Sequence, residues 1–124
     1  MALQSPLSKA IGLGSAKHGF SHWWLQRVSA VALIPLCLWF VYSVICLMQS
    51  DYAAILEWFA SPIQTSLMIV FVLTLIYHAQ TGLQVVIEDY IHNKFASLVF
   101  MYGVKFVSVL MAVIAVVSIF RIGA

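Results

Sequence analysis

Residues Ile63–Ile87 read IQTSLMIVFVLTLIYHAQTGLQVVI, and none of them is Asp, Glu, Lys or Arg. A helix needs about 20 predominantly apolar residues to cross the hydrocarbon core of a bilayer, so this run suffices. Val28–Met48 is a second charge-free run. Phe106–Phe120 is a third, and it spans once a few residues on either side are added, to cover 98–122. That extension takes in Lys105, whose ammonium then snorkels to the interface or faces protein. Composition agrees. The chain has 124 residues, 64% hydrophobic and 8% charged, where a soluble domain carries about 25% charged residues. A soluble fold of this size has too little interior to hide that much apolar surface.

The expected fold is therefore an all-α integral membrane protein of three transmembrane helices. It forms a single domain over 1–124, with spans at about 28–48, 63–87 and 98–122 and an N-terminal segment, 1–22, in water. The first span is not a cleaved signal peptide: it is too long, and no small-residue cleavage site follows it. Cys37 and Cys46 both fall in that span, more than two turns apart and on different faces, so reach excludes a mutual disulfide. They read as small apolar packing residues.

Basic residues set the orientation. Lys9, Lys17 and Arg27 precede the first span, and Lys94 and Lys105 lie between the second and third. The segment between the first two spans holds Asp51 and Glu57 and no basic residue, and Arg121 alone marks the far end. The N-terminus is expected in the cytoplasm and the C-terminus in the periplasm. Trp23 and Trp24 at the entrance to the first span, and Trp58 and Phe59 in the short loop from Gln49 to Pro62, suit an aromatic belt. Pro35 falls inside the first span, where a membrane bundle tolerates it. No Gly-rich phosphate loop, no Cys pair at metal spacing and no Ser-His-Asp set is present. So small a chain is expected to work with protein partners in the bilayer and not on nucleic acid.

An ionisable residue inside a span is a functional hypothesis by default. The second span holds one, His78, eleven residues before Asp89. At 1.5 Å rise per residue it lies about 16 Å deeper than Asp89, near mid-membrane. It could relay protons, bond a neighbouring helix or ligate a haem iron. Gly82, one turn away, leaves room for a macrocycle edge or for close helix packing. Val85 and Asp89 continue the same stripe. Glu88-Asp89-Tyr90 sits at the cytoplasmic membrane edge, where the Tyr90 phenol can donate to a quinone carbonyl and Asp89 can orient Arg27 or Tyr90 or deliver protons. The same three residues also read as a solvated helix end with a belt tyrosine. Arg27 stands at the same level and either pairs with Asp89, clamps an anion such as a haem propionate, or simply marks the positive-inside end. His18, His22 and His92 lie outside the spans; His22 is the most interesting because it neighbours Arg27.

These residues together resemble a known family. His78-x-x-x-Gly82-x-x-x-x-x-x-Asp89-Tyr90 is similar to the hydrophobic membrane anchor, the D subunit, of bacterial succinate dehydrogenase. Gly14-Ser15-Ala16-Lys17-x-Gly19-x-x-His22-Trp23-Trp24-x-Gln26-Arg27 resembles the entrance to its first helix in the alphaproteobacterial branch. The resemblance covers nearly the whole chain. Position 29 departs from it, being Ser where that branch suggests Thr. The resemblance implies a four-subunit complex of the bacterial inner membrane that oxidises succinate and reduces ubiquinone. A flavoprotein and an iron-sulphur protein carry the succinate chemistry, so this chain alone would not oxidise succinate. A second anchor, a cytochrome-b-type C subunit, shares a haem b and the quinone site with this one. By that resemblance His78 is an axial ligand of the haem iron and Gly82 packs against the haem. Tyr90 and Asp89 bind quinone, and Arg27 and His22 neighbour the propionates or the quinone.

Three other readings compete. An anchor of a quinol-fumarate reductase, or another small b-type cytochrome subunit, would share haem and quinone. A small multidrug transporter would need a carboxylate at mid-depth, and these spans have none. A purely structural assembly subunit would carry His78 incidentally. The charge asymmetry generates one direct test. In a background lacking Cys37 and Cys46, Ala53→Cys is expected to react with a membrane-impermeant thiol reagent in intact cells. Reaction only after permeabilisation would reverse the topology.

Overall fold

The structure is a computed structural model that describes residues 6–7 and 19–123. Lys9, Lys17 and His18, and Gly14, Ser15 and Ala16 of the first motif, lie outside the described residues. Four helices follow one another along 19–123: α1 (Gly19–Leu47), α2 (Tyr52–Ala60), α3 (Pro62–Tyr90) and α4 (Lys94–Gly123). Among the described residues, α1, α3 and α4 are long and apolar enough to cross a membrane, so the three expected spans are present. The first span begins well before its charge-free run and ends one residue short of it, and the other two extend past theirs at both ends, so that residues such as Trp23, Glu88 and Lys94 are helical.

The segment from Gln49 to Pro62, expected as a loop, contains α2. Asp51 starts it: its side chain accepts a hydrogen bond from the Ala54 backbone N–H at 2.9 Å, satisfying one of the donors a helix start leaves unpaired. Ser61 ends it in extended conformation, with its N–H donating to the Trp58 carbonyl. Pro62 then opens α3 at a position where a missing N–H costs nothing. Asn93 opens α4 in the same manner as Asp51, its Oδ1 accepting from Phe95 N and Ala96 N at 3.0 and 3.2 Å.

The three long helices run up, down and up. The N-terminal half of α1 lies against the C-terminal half of α3, and past the middle of both helices Phe40 of α1 stacks on Phe71 of α3 with ring centroids 4.7 Å apart. At the other end of the bundle α2 closes over the helix ends. Trp39 of α1 stacks on Trp58 of α2 at 5.9 Å. A Cβ on Gly123 would run into the carbonyl oxygen of Phe59, so that glycine is what lets α4 approach α2.

The described core is thin. Its buried apolar residues are Leu33, Phe71, Ile87 and Ile119, and they share it with buried Ser29, Ser43 and Thr81. Valines, leucines and phenylalanines cover the outside of α1 and α4. In water such a surface would aggregate; in a bilayer it is what lipid and partner helices require. Cys37 and Cys46 are free and exposed.

The capping geometry of α2 generates a local prediction. Asp51→Ala removes the N-cap and is expected to cost about 0.5–2 kcal/mol of local helix stability. Hydrogen exchange at the Ala54 and Ile55 amides should accelerate, with exchange in the middle of α3 unchanged. Equal protection of both amides in the variant would contradict the cap.

Candidate functional site

Polar residues draw the N-terminal half of α1 and the C-terminal half of α3 together. Gln26 and Ser29 are three apart on α1, and His78 and Thr81 are three apart on α3, so each pair shares a helix face. The Ser29 hydroxyl lies 3.0 Å from His78 Nδ1. One turn along, Thr81 Oγ1 meets the side-chain oxygen of Gln26. The Thr81 oxygen is also 2.9 Å from the carbonyl of Tyr77 and 3.0 Å from that of His78. Thr81 is 3% exposed and Ser29 is 7% exposed, so these contacts form away from solvent.

Beside this seam runs a groove of about 670 Å³ lined by His22, Trp23, Gln26, Arg27 and Ala30 of α1 and His78, Gln84, Val85 and Glu88 of α3. That volume lies within the range of small-molecule and cofactor sites. Three residues singled out in the sequence, His22, Arg27 and His78, therefore share one wall system. Arg27 places its guanidinium 4.8 Å from the centre of the Trp23 ring, a cation–π contact. Trp23 in turn stacks with Phe20 and Trp24 at 6.3 Å each. His22 Nε2 is buried without a hydrogen-bond partner among the described residues. Gln84 donates to Glu88 Oε1 at 2.9 Å, tying the groove's carboxylate to the turn below it.

Asp89 and Tyr90 are not part of this groove. At about 100° per residue, Gln84 and Glu88 fall to one side of His78 around α3, and Gly82 and Asp89 fall to the other. The groove takes the Glu88 side. Asp89 and Tyr90 end the helix as exposed residues, Tyr90 78% so. Among the described residues no ion pair joins Arg27 to Asp89. The space over Gly82 is also taken: a Cβ there would sit 3.3 Å from the Gln26 side-chain amide. The glycine thus admits Gln26 from α1, the close-packing option that the sequence left open beside a macrocycle edge. His92 is exposed beyond the end of α3.

The sequence reading passed over Ser29, Gln84 and Glu88 as site residues. Their signal was present in part. Gln84 and Glu88 are four apart on a helix and Ser29 is a hydroxyl inside an apolar run, but a serine in a span most simply bonds its own helix backbone.

The whole-chain comparisons bear on this geometry. Residues 1–119 match the family model described as succinate dehydrogenase/fumarate reductase transmembrane subunit. The chain belongs to that family. A succinate dehydrogenase hydrophobic membrane anchor subunit of Rickettsia bellii is 37% identical over 120 residues, covering 97% of this chain and 96% of its own. The protein of the same name from Rickettsia prowazekii is 32% identical over 97% of this chain and 96% of its own. That of Paracoccus denitrificans is 30% identical over 82% and 79%. No solved structure matches the chain. With its three spans, this member of the succinate dehydrogenase anchor family is a multi-pass protein of the bacterial inner membrane.

Proposed function

We propose that this chain is the membrane anchor of a succinate:ubiquinone oxidoreductase, and that with a second anchor it holds a haem b and forms part of the quinone-reduction site. The observation that carries the haem reading is the state of His78. Its Nδ1 is engaged by Ser29 across the helix seam, which leaves Nε2 as the nitrogen free to ligate. Among the described residues no three His, Cys, Asp or Glu side chains converge as they would around a bare metal ion. A haem would ask less of the chain, a single imidazole, which His78 would supply.

The residues along the groove fit the rest of such a group. Arg27 lines the groove and would offer guanidinium N–H groups to a propionate carboxylate, and His22 lines the same groove. Val85 and Ala30 supply apolar wall between these polar ends. When bound, a haem of this kind passes or buffers single electrons. The chain's part is to ligate, to orient and to neutralise the acidic edge. A second anchor would complete the groove and supply the remaining protein ligand.

Tyr90 and Asp89 are proposed to serve quinone from the opposite flank of α3, at the same end of the bundle as Arg27. The positive-inside count makes that end cytoplasmic, where an iron-sulphur partner would dock and bulk protons are close. Tyr90 offers its phenol to a quinone carbonyl at headgroup depth, and the Asp89 carboxylate beside it relays a proton. The family description also covers fumarate reductases. The relatives' succinate dehydrogenase names favour the forward direction.

Two substitutions test the two halves separately. His78→Ala should abolish or alter the low-spin haem b spectrum of the purified complex, and an unaltered spectrum would remove His78 as a ligand. Tyr90→Phe deletes one hydroxyl. One hydrogen bond to a neutral partner is worth about 0.5–1.5 kcal/mol, and more where it strengthens as charge develops on the quinone oxygen. Quinone reduction should therefore fall by about threefold to tenfold or more, while succinate oxidation with an artificial acceptor that takes electrons upstream is retained. Equal loss of both activities would assign Tyr90 to assembly instead.

A further inference from the structure

Beyond the ligand itself, the seam between α1 and α3 sets a hydroxyl against one ring nitrogen of His78. Ser29 has one hydroxyl hydrogen and two polar neighbours. Its oxygen lies 2.9 Å from the backbone carbonyl of Gln26, one turn back on its own helix, and 3.0 Å from His78 Nδ1. A carbonyl oxygen can only accept, so both contacts are hydrogen bonds at once only when the hydroxyl hydrogen goes to Gln26. The contact to His78 is then a hydrogen bond only if Nδ1 carries a hydrogen and donates it to the Ser29 oxygen. The arrangement that satisfies both contacts is the Nδ1–H tautomer, with the imidazole lone pair on Nε2. Ser29 is 7% exposed and stands on a neighbouring helix, so both ring rotation and tautomer exchange would break a contact that water is poorly placed to replace.

We infer that Ser29 is the positioning residue for His78, a hydroxyl on α1 that sets the tautomer and ring orientation of the α3 imidazole and raises its basicity as an iron ligand. The inference rests on the haem reading above. Its physical consequence is specific. An imidazole whose far N–H is hydrogen-bonded is a stronger donor to iron, and loss of such an outer-shell partner typically costs about 10-fold to 100-fold in metal affinity. A stronger donor favours ferric over ferrous iron. Removing the acceptor on Ser29 therefore raises the haem reduction potential and loosens the haem.

The test uses the assembled complex in detergent and reads the haem, not turnover. Ser29→Ala is expected to shift the equilibrium reduction potential of the haem upward, to change the low-spin electron paramagnetic resonance signal of the ferric haem, and to speed haem transfer to an excess of apomyoglobin by about 10-fold or more. Ser29→Thr and Ser29→Val form the decisive pair, because they match in shape and differ by the hydroxyl. Thr should restore the wild-type potential and haem retention, and Val should behave as Ala. Equal potentials in Thr and Val, or loss of haem in both, would overturn the role of the hydroxyl. His78→Ala in the same preparations separates this failure from that of the haem reading. If His78→Ala abolishes the spectrum and Ser29→Val does not move the potential, only the Ser29 inference falls. If His78→Ala leaves the spectrum intact, both fall.

Discussion

The rest of the molecule depends on how α1 is held against α3. In lipid, two apolar helices gain little by meeting, since acyl chains solvate leucine as well as another leucine does. What remains is close packing and polar contact. This bundle uses both at one seam. Ser29 meets His78 and Gln26 meets Thr81, while Phe40 stacks on Phe71 further along. These contacts fix rotation as well as distance. A turn of α1 about its axis would bury the hydroxyls against hydrocarbon and separate the rings. The same seam sets the groove beside it, because Arg27, Gln26 and His22 are carried on the helix whose rotation Ser29 and Gln26 fix.

Function enters as a consequence of that constraint. Polar groups are costly inside a bilayer, and a chain that places His78 at mid-depth must satisfy at least one of its ring nitrogens. Ser29 satisfies one. The second nitrogen is left for a partner outside the described fold, and the groove beside it leads to Arg27 at the membrane edge. The thin described core, with four buried apolar residues, fits a chain whose packing is completed by lipid and by other subunits of a complex.

The three spans were legible because charge is so costly in hydrocarbon that its absence over Ile63–Ile87 marks a helix without any periodicity argument. The short helix α2 was not, since nine residues fall below the length at which an apolar run announces itself, and its signal was one capping residue, Asp51. At the site, residue types were legible and flanks were not. His78, Arg27 and His22 line one groove. Of the stripe His78, Gly82, Val85 and Asp89, the first and third line the groove, Gln26 approaches Gly82, and Asp89 is not among the lining residues. Which flank of a helix a neighbour covers depends on the neighbour, and one sequence does not encode that contact locally. The role of Ser29 was hidden for the same reason: its partner is 49 residues away.

The central claim is that this chain forms a shared haem site as one member of an enzyme complex. The most direct measurement is affinity purification of the tagged chain from membranes in a mild detergent, with identification of the co-purifying proteins and a visible absorption spectrum of the same sample. The account predicts a flavoprotein, an iron-sulphur protein and a second small hydrophobic chain, together with the bands of a low-spin haem b. A chain that emerges by itself and colourless, from membranes that retain succinate:quinone activity, would contradict it.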